Sequence, residues 1–311
     1  MNYIVFDLEW NQASTVPGTN EKIPFEIIEI GAVKLNSDRV MVDQFSQLIK
    51  PQIYNTMHYM TGKLVHLKMQ ELAHERPFKE VMSDFLSWCG TDYIFVTWGP
   101  LDLLELQRNM VYYGFKPLSD GPLPFYDAQK LYAIECDKVK ERKALETVVD
   151  ILNIEKDIPF HRAFSDAYYT AKVFSHLKEE ETFKHYSYDN FVPPKNKASE
   201  IHASFSDYEK YISRTFSSRF TLLSDKEVKD INCYKCIRPS KKIVKPFTPN
   251  NKFYLGLSFC PKHGFVKSKI RIRKSEDGRF FAVKTKKLIE NEEAQSIINR
   301  AERQKKEKKR K

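Results

Sequence analysis

The chain has 311 residues, of which 41% are hydrophobic, and its formal net charge is +10. This length suits one sizeable folded domain with a smaller one beside it. No basic segment precedes an apolar run at the start, and no stretch of about 18 apolar residues occurs, which argues against a secretory signal and a membrane span. We therefore expect a soluble, cytoplasmic protein with no membrane partner.

The charge is unevenly distributed along the chain. Residues 1–180 contain 19 Lys and Arg against 26 Asp and Glu, a net charge of −7, whereas the remaining residues have a net charge of +17. An acidic part can concentrate divalent cations, and a strongly basic part is typical of a polyanion-binding surface. The five cysteines are too few for a secreted disulfide framework, so metal binding is the first alternative for them.

The first part of the chain mixes strand and helix patterns. Tyr3–Phe6 predicts a short strand, and Phe25–Leu35 and Arg39–Ile49 predict two more, joined by a polar turn as in an antiparallel meander. The elements predicted after this meander are a helix at Glu75–Trp88, a strand at Tyr93–Trp98, and helices near Leu101–Tyr113, Glu141–Leu152 and Ser165–Leu177. This mixed order predicts an α/β domain over residues 1–182.

A different organisation is predicted beyond residue 182. A polar stretch with two adjacent prolines is typical of a linker, and apolar residues at helical spacing between Tyr208 and Phe220 indicate a helix. Further on, two strand patterns are separated by a hairpin turn at residues 275–278. The predicted segments are a linker at 183–203, a helical connector at 204–229, a small β domain at 230–290 and a basic C-terminal tail at 291–311.

Two acidic residues end the first strand. Alternate side chains of a strand point to the same face, so Asp7 and Glu9 lie together, with Cα atoms roughly 7 Å apart. Two like charges side by side at the end of an apolar strand are unfavourable unless a cation lies between them, and a divalent metal ion meets that need. A solvated strand end is the alternative for this pair.

Two further motifs place an acid at the start of a helix. Asp166 lies in the first turn of its helix, with His161 in the preceding loop, and Asp102 follows a turn at Gly99-Pro100. Taken singly, the helix dipole explains Asp166, and a loop histidine is more often hydrogen-bonded than catalytic. We expect two other acids nearby to be solvated surface residues, Glu105 and Asp127.

In this order the three motifs resemble the DEDDh branch of the DEDD exonuclease superfamily, also called DnaQ-like. The matching segments are Phe6-Asp7-Leu8-Glu9, the turn before Asp102, His161 with Asp166, and two supporting stretches, Glu29-Ile-Gly-Ala-Val33 and Asp166-Ala-x-x-Thr-Ala171. The resemblance covers residues 1–180. It implies a domain of the size expected for one fold.

The middle motif departs from the common family pattern. Many members carry Asn followed by Phe-Asp, whereas this chain reads Trp98-Gly-Pro-Leu-Asp102. This motif is similar to that of a subgroup that contains sporulation-inhibitor-like proteins and exoribonucleases that trim small RNAs or histone messages. By analogy with this subgroup, RNA is favoured over DNA as the substrate.

The resemblance implies an RNase H-like mixed sheet flanked by helices and a 3′→5′ exonuclease activity that releases 5′-mononucleotides. Asp7, Glu9, Asp102 and Asp166 are then expected to hold two Mg²⁺ or Mn²⁺ ions, since hard oxygen ligands suit hard cations. Two such ions can activate water and stabilise both oxygens at the reacting phosphorus. His161 is expected to take the proton from the attacking water, because an imidazole has an unperturbed pKa of about 6.5.

Two short metal-binding patterns occur in the second part of the chain. Cys233-Tyr-Lys-Cys236 and Cys260-Pro-Lys-His263 have the spacing of zinc knuckles, and together they predict one tetrahedral structural Zn²⁺. All four positions are filled by protein, so no open coordination site is expected. The arrangement resembles a zinc ribbon, and four unrelated buried residues are the alternative. No role is predicted for Cys89 and Cys136.

A basic strand follows the second knuckle. Alternate positions of this strand are filled by four cations, Lys267, Lys269, Arg271 and Arg273. An ordinary solvated face mixes both signs of charge, so contact with the phosphates of a single-stranded nucleic acid is favoured over a solvated face.

Two other functions remain open at the level of the sequence. One is a non-catalytic nucleic-acid adaptor on an exonuclease fold, although all five catalytic positions are intact. The other is a DNA proofreading or repair exonuclease, for which the chain contains no polymerase segment. A 2′-hydroxyl preference would separate RNA from DNA, but the residues that read it cannot be identified by pattern.

Overall fold

The computed structural model describes residues 1–15, 18–137, 141–236 and 238–310 and, for residues 308–310, the backbone alone. The chain divides into two compact units, Met1–Ser119 with Leu123–Phe191, and Asp120–Pro122 with Val192–Lys311. Within the described ranges, no helix combines the length and the apolar character needed to cross a bilayer.

The first unit is built on a six-stranded sheet. Its strands are β1 (Asn2–Gln12), β2 (Phe25–Leu35), β3 (Met41–Leu48), β4 (Tyr93–Thr97), β5 (Pro124–Asp127) and β6 (Ser187–Tyr188). Their order is β3-β2-β1-β4-β5-β6. The first three strands pair antiparallel, which confirms the predicted meander, whereas β1, β4 and β5 run parallel.

Helices cover both faces of this sheet. They are α1 (Tyr59–Val65), α2 (Met69–Leu72), α3 (Phe78–Cys89), α4 (Leu101–Tyr112), α5 (Ala128–Glu135), α6 (Leu145–Ile151), α7 (Ala163–His176) and α8 (Glu180–Phe183). Ile4, Phe6 and Leu8 of β1 pack with α3 and α4, whereas Val5 packs with α5 and α7. Because side chains alternate along a strand, the positions that follow Val5 on its face also point towards α7.

The second unit contains an antiparallel sheet. Its strands are β7 (Ile201–Ser204), β8 (Tyr208–Ile212), β9 (Lys241–Phe247), β10 (Tyr254–Cys260), β11 (Gly264–Lys274) and β12 (Phe280–Ile289). Their order is β7-β8-β12-β11-β10-β9. Three helices, α9 (Arg219–Ser224), α10 (Lys226–Lys229) and α11 (Asn291–Arg310), pack on it. Leu222 of α9 and Val228 of α10 share a core with Ile270 of β11.

The predicted helical connector at 204–229 is wrong in its first part. Tyr208–Ile212 forms β8, which pairs with β7 on one side and with β12 on the other. Ile212, which belongs to the set with helical spacing, fits a strand as well, and it is buried together with its neighbour Tyr211 between β7 and β12. The partner strand β12 lies far away in the sequence, so local periodicity alone favoured the helix. Only α9 and α10 are helical in the described part of this segment.

Two other predicted segments have more structure than expected. The linker at 183–203 contains β6, which completes the first sheet, and the start of β7. Within the tail at 291–311, residues 291–310 form α11, because Ala294, Ile297 and Ala301 recur on one helical face and pack with Val244 and Leu257. Lys311 lies outside the described residues.

Candidate functional site

The end of β1 leaves the sheet next to α7. Pairing of β1 with β4 stops at Val5, whereas pairing with β2 continues, so that Asp7 lies opposite Gly31 and Glu9 opposite Glu29. A register shift follows Glu9, which is a place where a strand bends and re-aims its side chains. Asp7 and Glu9 therefore point to one face where β1 and β4 separate.

Helix α7 brings a third carboxylate to this point. Oxygens of Asp7, Glu9 and Asp166 lie within 4.8 Å of one another. The close approach depends on Gly31, since a Cβ added there would lie 2.0 Å from the main-chain nitrogen of Phe164 in the first turn of α7. Glycine is thus required where β2 and α7 meet.

Asp102 lies beside this group of three without belonging to it. It sits in the first turn of α4, directly after the turn at Gly99, whose φ of +102° suits glycine. Its side chain is buried, and its charge is close enough to raise the pKa of Asp7. The structure therefore brings all four predicted carboxylates to the same end of the sheet, three of them in mutual contact distance.

The acids strongly perturb one another. Burial raises the pKa of Asp7 well above its ordinary value, and repulsion from Asp102, Glu9 and Asp166 raises it further. Burial and the charges of Asp166 and Glu29 raise the pKa of Glu9 to about 8, and burial raises that of Asp102 to about 7. The pKa of Asp166 is also raised, mainly by burial. Full ionisation of this set at neutral pH is unfavourable unless a cation is bound.

The donor set fits a hard divalent cation. It consists of carboxylate oxygens, which Mg²⁺ and Mn²⁺ prefer, and these oxygens are near enough to share one ion. The repulsion among these carboxylates is a second reason to expect a cation. A bound ion would attract each ionised carboxylate and so outweigh their mutual repulsion.

His161 lies in the loop before α7, close enough for its charge to lower the pKa of Asp166 and so oppose the rise caused by burial, and it is exposed. Its main-chain amide donates to Oδ1 of Asp166 over 3.4 Å, and its φ of +68° lies in the left-handed region, where residues other than glycine are uncommon. The site therefore contains one exposed imidazole beside the carboxylates.

An ion pair next to His161 has no counterpart in the sequence predictions. Arg162 donates from Nε and Nη2 to the two carboxylate oxygens of Glu29, both over 2.9 Å. Glu29 is 1% exposed and faces Glu9 across the strand pair. The available signal was a charged residue flanked by apolar ones within a strand, since burying a carboxylate requires a partner.

The prediction that Glu105 and Asp127 are solvated surface residues is wrong. Glu105 is buried and paired with Arg108 over 2.5 Å. Asp127 is also buried, where it accepts a hydrogen bond from the amide of Lys130 at the start of α5 and pairs with Arg142 over 2.6 Å. Both acids have basic partners outside the carboxylate group, and those partners explain their burial.

The second unit brings together the four predicted zinc ligands. Atoms of Cys233, Cys236, Cys260 and His263 lie within 4.8 Å of one another. The Cys233 Sγ to His263 Nδ1 distance is 3.4 Å, and the Cys236 Sγ to Cys260 Sγ distance is 3.6 Å. Zn–S bonds of about 2.3 Å in a tetrahedron place sulfur atoms about 3.8 Å apart, so this donor set fits Zn²⁺.

The four predicted cations do alternate on β11, but they differ in surroundings. Lys267 forms an ion pair with Glu293 of α11, and the Lys269 Nζ lies 4.4 Å from the centre of the Phe253 ring. Arg271 and Arg273 are exposed. The latter two are therefore the members of the set best placed to meet a polyanion.

A comparison with protein families gives one match for the first unit. The family model of exonucleases called RNase_T matches residues 4–174 of the chain. The matched residues run from within β1 to within α7 and include all five predicted catalytic positions. No curated protein sequence matches the chain.

Comparison with solved structures gives similar folds at low sequence identity. The nuclease domain of 3′hExo, a DEDDh family member bound to rAMP, has a TM-score of 0.49 and 20% identity over 56% of this chain and 90% of that one. The Mg²⁺- and Mn²⁺-bound form of Pop2p from S. pombe has a TM-score of 0.43 and 16% identity over 57% of this chain and 83% of that one. Exonuclease I from E. coli in complex with a dT13 oligonucleotide has a TM-score of 0.46 and 11% identity over 58% of this chain and 41% of that one.

The predicted fold class is confirmed. The residues matched by the family model form a mixed sheet with helices on both faces, as in the RNase H-like exonuclease fold. The match to the exonuclease family thus covers residues 4–174 of the chain.

Proposed function

We propose, from the premise that the chain belongs to the RNase_T family of exonucleases, that it removes nucleotides one at a time from the 3′ end of single-stranded nucleic acid. The family makes the protein a metal-dependent nuclease. We propose in addition the 3′→5′ direction, a preference for RNA over DNA, and the release of 5′-mononucleotides.

The convergence of Asp7, Glu9 and Asp166 within 4.8 Å is the observation that carries this proposal. We assign to these residues, with Asp102, the binding of two Mg²⁺ or Mn²⁺ ions. Bound there, the ions would supply positive charge to the attacking and leaving oxygens of a phosphodiester. The carboxylates hold fixed positions, because Asp7 and Glu9 lie on a paired strand and Asp166 on a packed helix.

We assign the role of general base to His161. Its exposed imidazole can reach the solvent that supplies the attacking water, and its main chain is joined to Asp166. A histidine that accepts this proton during attack contributes a factor of roughly 10²–10⁴ to turnover. His161→Ala is therefore expected to lower kcat by that factor while metal binding survives.

The surface near Glu9 supports an unpaired strand end as the substrate. Thr61 of α1 donates to the main-chain oxygen of Trp10, which places α1 beside the end of β1. This helix exposes Tyr59, Met60 and Leu64, whose side chains are 74%, 51% and 47% accessible. Exposed apolar and aromatic groups of this kind stack on bases that are free of a partner strand.

We propose that the second unit helps to hold the substrate. Its cysteine and histidine cluster is assigned one structural Zn²⁺, and the exposed Arg271 and Arg273 are assigned to phosphate contact together with Lys267 and Lys269. The support is the net charge of +17 over residues 181–311 and the placement of all four cations on one strand.

The test is a time course on 5′-labelled single-stranded RNA and DNA of one sequence, with Mg²⁺ or Mn²⁺. Wild-type protein should produce a ladder that shortens from the 3′ end, faster on RNA, and Asp7→Asn should produce none. Binding without shortening on both strands would refute catalysis and favour the adaptor. Faster shortening of DNA would refute the RNA preference and support a repair role.

A further inference from the structure

Two residues of β2 hold the segment that leads into α7. The Arg162 guanidinium forms a two-pronged contact with Glu29, with both nitrogen to oxygen distances at 2.9 Å. Two positions along the strand, Gly31 leaves so little room that a Cβ would lie 2.0 Å from the Phe164 nitrogen. The Glu29 side chain and the Gly31 backbone, on the same face of β2, thus hold residues 162–164.

The residue just before this segment is His161, whose backbone is strained. Its φ of +68° crowds the Cβ against the backbone, and such a conformation persists only where the surroundings enforce it. The bond from its amide to Asp166 is long, at 3.4 Å, and therefore weak. The adjoining residue, Arg162, is held by its side-chain contact with Glu29 and by a hydrogen bond of 3.0 Å from the Asp166 amide to its main-chain oxygen.

We propose that Glu29 and Arg162 are a positioning pair that keeps His161 over the carboxylate group. This inference rests on the proposed function, in which His161 accepts a proton. Neither residue belongs to the proposed metal ligands, and we assign the effect of the pair to the histidine that adjoins Arg162; Arg162→Lys keeps both charges near Glu9 and so leaves this effect as the one that changes. A planar guanidinium joined at two points is held in one orientation, which a single ammonium contact does not impose, so its side chain restrains the residue that follows His161.

The burial of the acid in this pair also indicates a directional role for its partner. The Glu29 side chain is 2% exposed and that of Arg162 is 37% exposed. Neutralising the buried acid requires only a positive charge, which a lysine would provide as well. The forked guanidinium fixes an orientation in addition to neutralising the charge. Arg162→Lys keeps the neutralisation and removes the fixed orientation, so it separates the two effects.

The kinetic test is a cycle of variants. Arg162→Lys, and the double variant Glu29→Gln with Arg162→Gln, are made in the wild-type and His161→Ala backgrounds. In the wild-type background both should lower kcat by roughly 10-fold to 100-fold, with KM changed by less than about 3-fold. In the His161→Ala background they should cause no further loss. Equal losses in the two backgrounds would overturn the proposal, because the pair would then act independently of His161.

A second readout does not depend on catalysis. The second readout uses NMR spectra of protein labelled with ¹⁵N-histidine, in which the His161 signals are identified by their loss in His161→Ala. These signals should shift or broaden in Arg162→Lys and in the double variant Glu29→Gln with Arg162→Gln. Arg142→Lys is the matched control, since it alters another exposed arginine on a buried acid, Asp127. Unmoved His161 signals would overturn the positioning role. A wild-type protein without exonuclease activity would refute the proposed function instead, and the spectra would still decide the role of the pair.

Discussion

Without divalent cations, the free energy of unfolding should fall as the pH rises, because the carboxylate group prefers to be protonated. The pKa of Glu9 is raised from 4.5 to about 8 in the folded protein, whereas the unfolded chain has the ordinary value. Between pH 4.5 and pH 8, the folded state therefore binds more protons than the unfolded state does. The stability associated with this group is complete below pH 4.5 and is lost as the pH rises through 8.

The size of the effect follows from the shift. Each unit of pKa difference corresponds to about 1.4 kcal/mol, so raising the pH from 4.5 to 7.5 costs up to about 4 kcal/mol through Glu9. Total stabilities of domains are about 5–15 kcal/mol, so this loss is large enough to measure. Because Asp7 and Asp102 repel the same charge, the loss belongs to the set rather than to one residue.

The assay is urea unfolding between pH 5 and pH 8 in EDTA, repeated with Mg²⁺. Wild-type protein should lose stability with pH in EDTA, and Glu9→Gln should lose markedly less. Mg²⁺ should restore most of the loss, since it binds the ionised carboxylates. Glu155→Gln, a change at an exposed acid, is the control and should behave as wild type. Identical pH dependence in wild type and Glu9→Gln, or stability that rises with pH, would refute the reasoning.

Three further predictions concern other parts of the molecule. Gly31→Ala should lower turnover roughly 100-fold by displacing the start of α7, whereas Gly121→Ala, whose added Cβ would meet no atom within 4 Å apart from its chain neighbours, should not. Equal activity of Gly31→Ala and wild type would show that the close contact is dispensable. Cys236→Ser should lower the bound zinc from one equivalent per chain and destabilise the second unit, as measured by zinc release and unfolding; retained zinc would exclude Cys236 as a ligand. Arg271→Ala with Arg273→Ala should reduce the slope of log affinity against log salt by about 1.4 for single-stranded RNA, and an unchanged slope would remove both from the interface.

Strand alternation and motif order were sufficient to predict much of the site. Asp7 and Glu9 share a face because they follow Val5 on the same strand, and Asp166 was expected at the start of a helix. All eight elements predicted for the first unit form, because they depend on local periodicity, whereas α1, β5 and α5 were not predicted. The pairing order of the strands needed the resemblance to a known family as well.

Interactions between distant segments could not be predicted. The pairing of Glu29 with Arg162 joins residues 133 positions apart, and nothing in either local pattern specifies the other partner. The strand at Tyr208–Ile212 was mistaken for a helix for the same reason, since its pairing with β12 is invisible in a local window. Glu105 and Asp127 were placed at the surface because their basic partners were not recognised.

The strand order of the second sheet has a consequence for folding during synthesis. β8 is made early but lies between β7 and β12, and β12 ends only at Ile289. Until that strand has left the ribosome, one edge of β8 has no neighbour, and closing so long a loop is slow. Chains that end before β12 should therefore expose an unpaired hairpin and aggregate. The last strands of the protein thus decide when its second unit can fold.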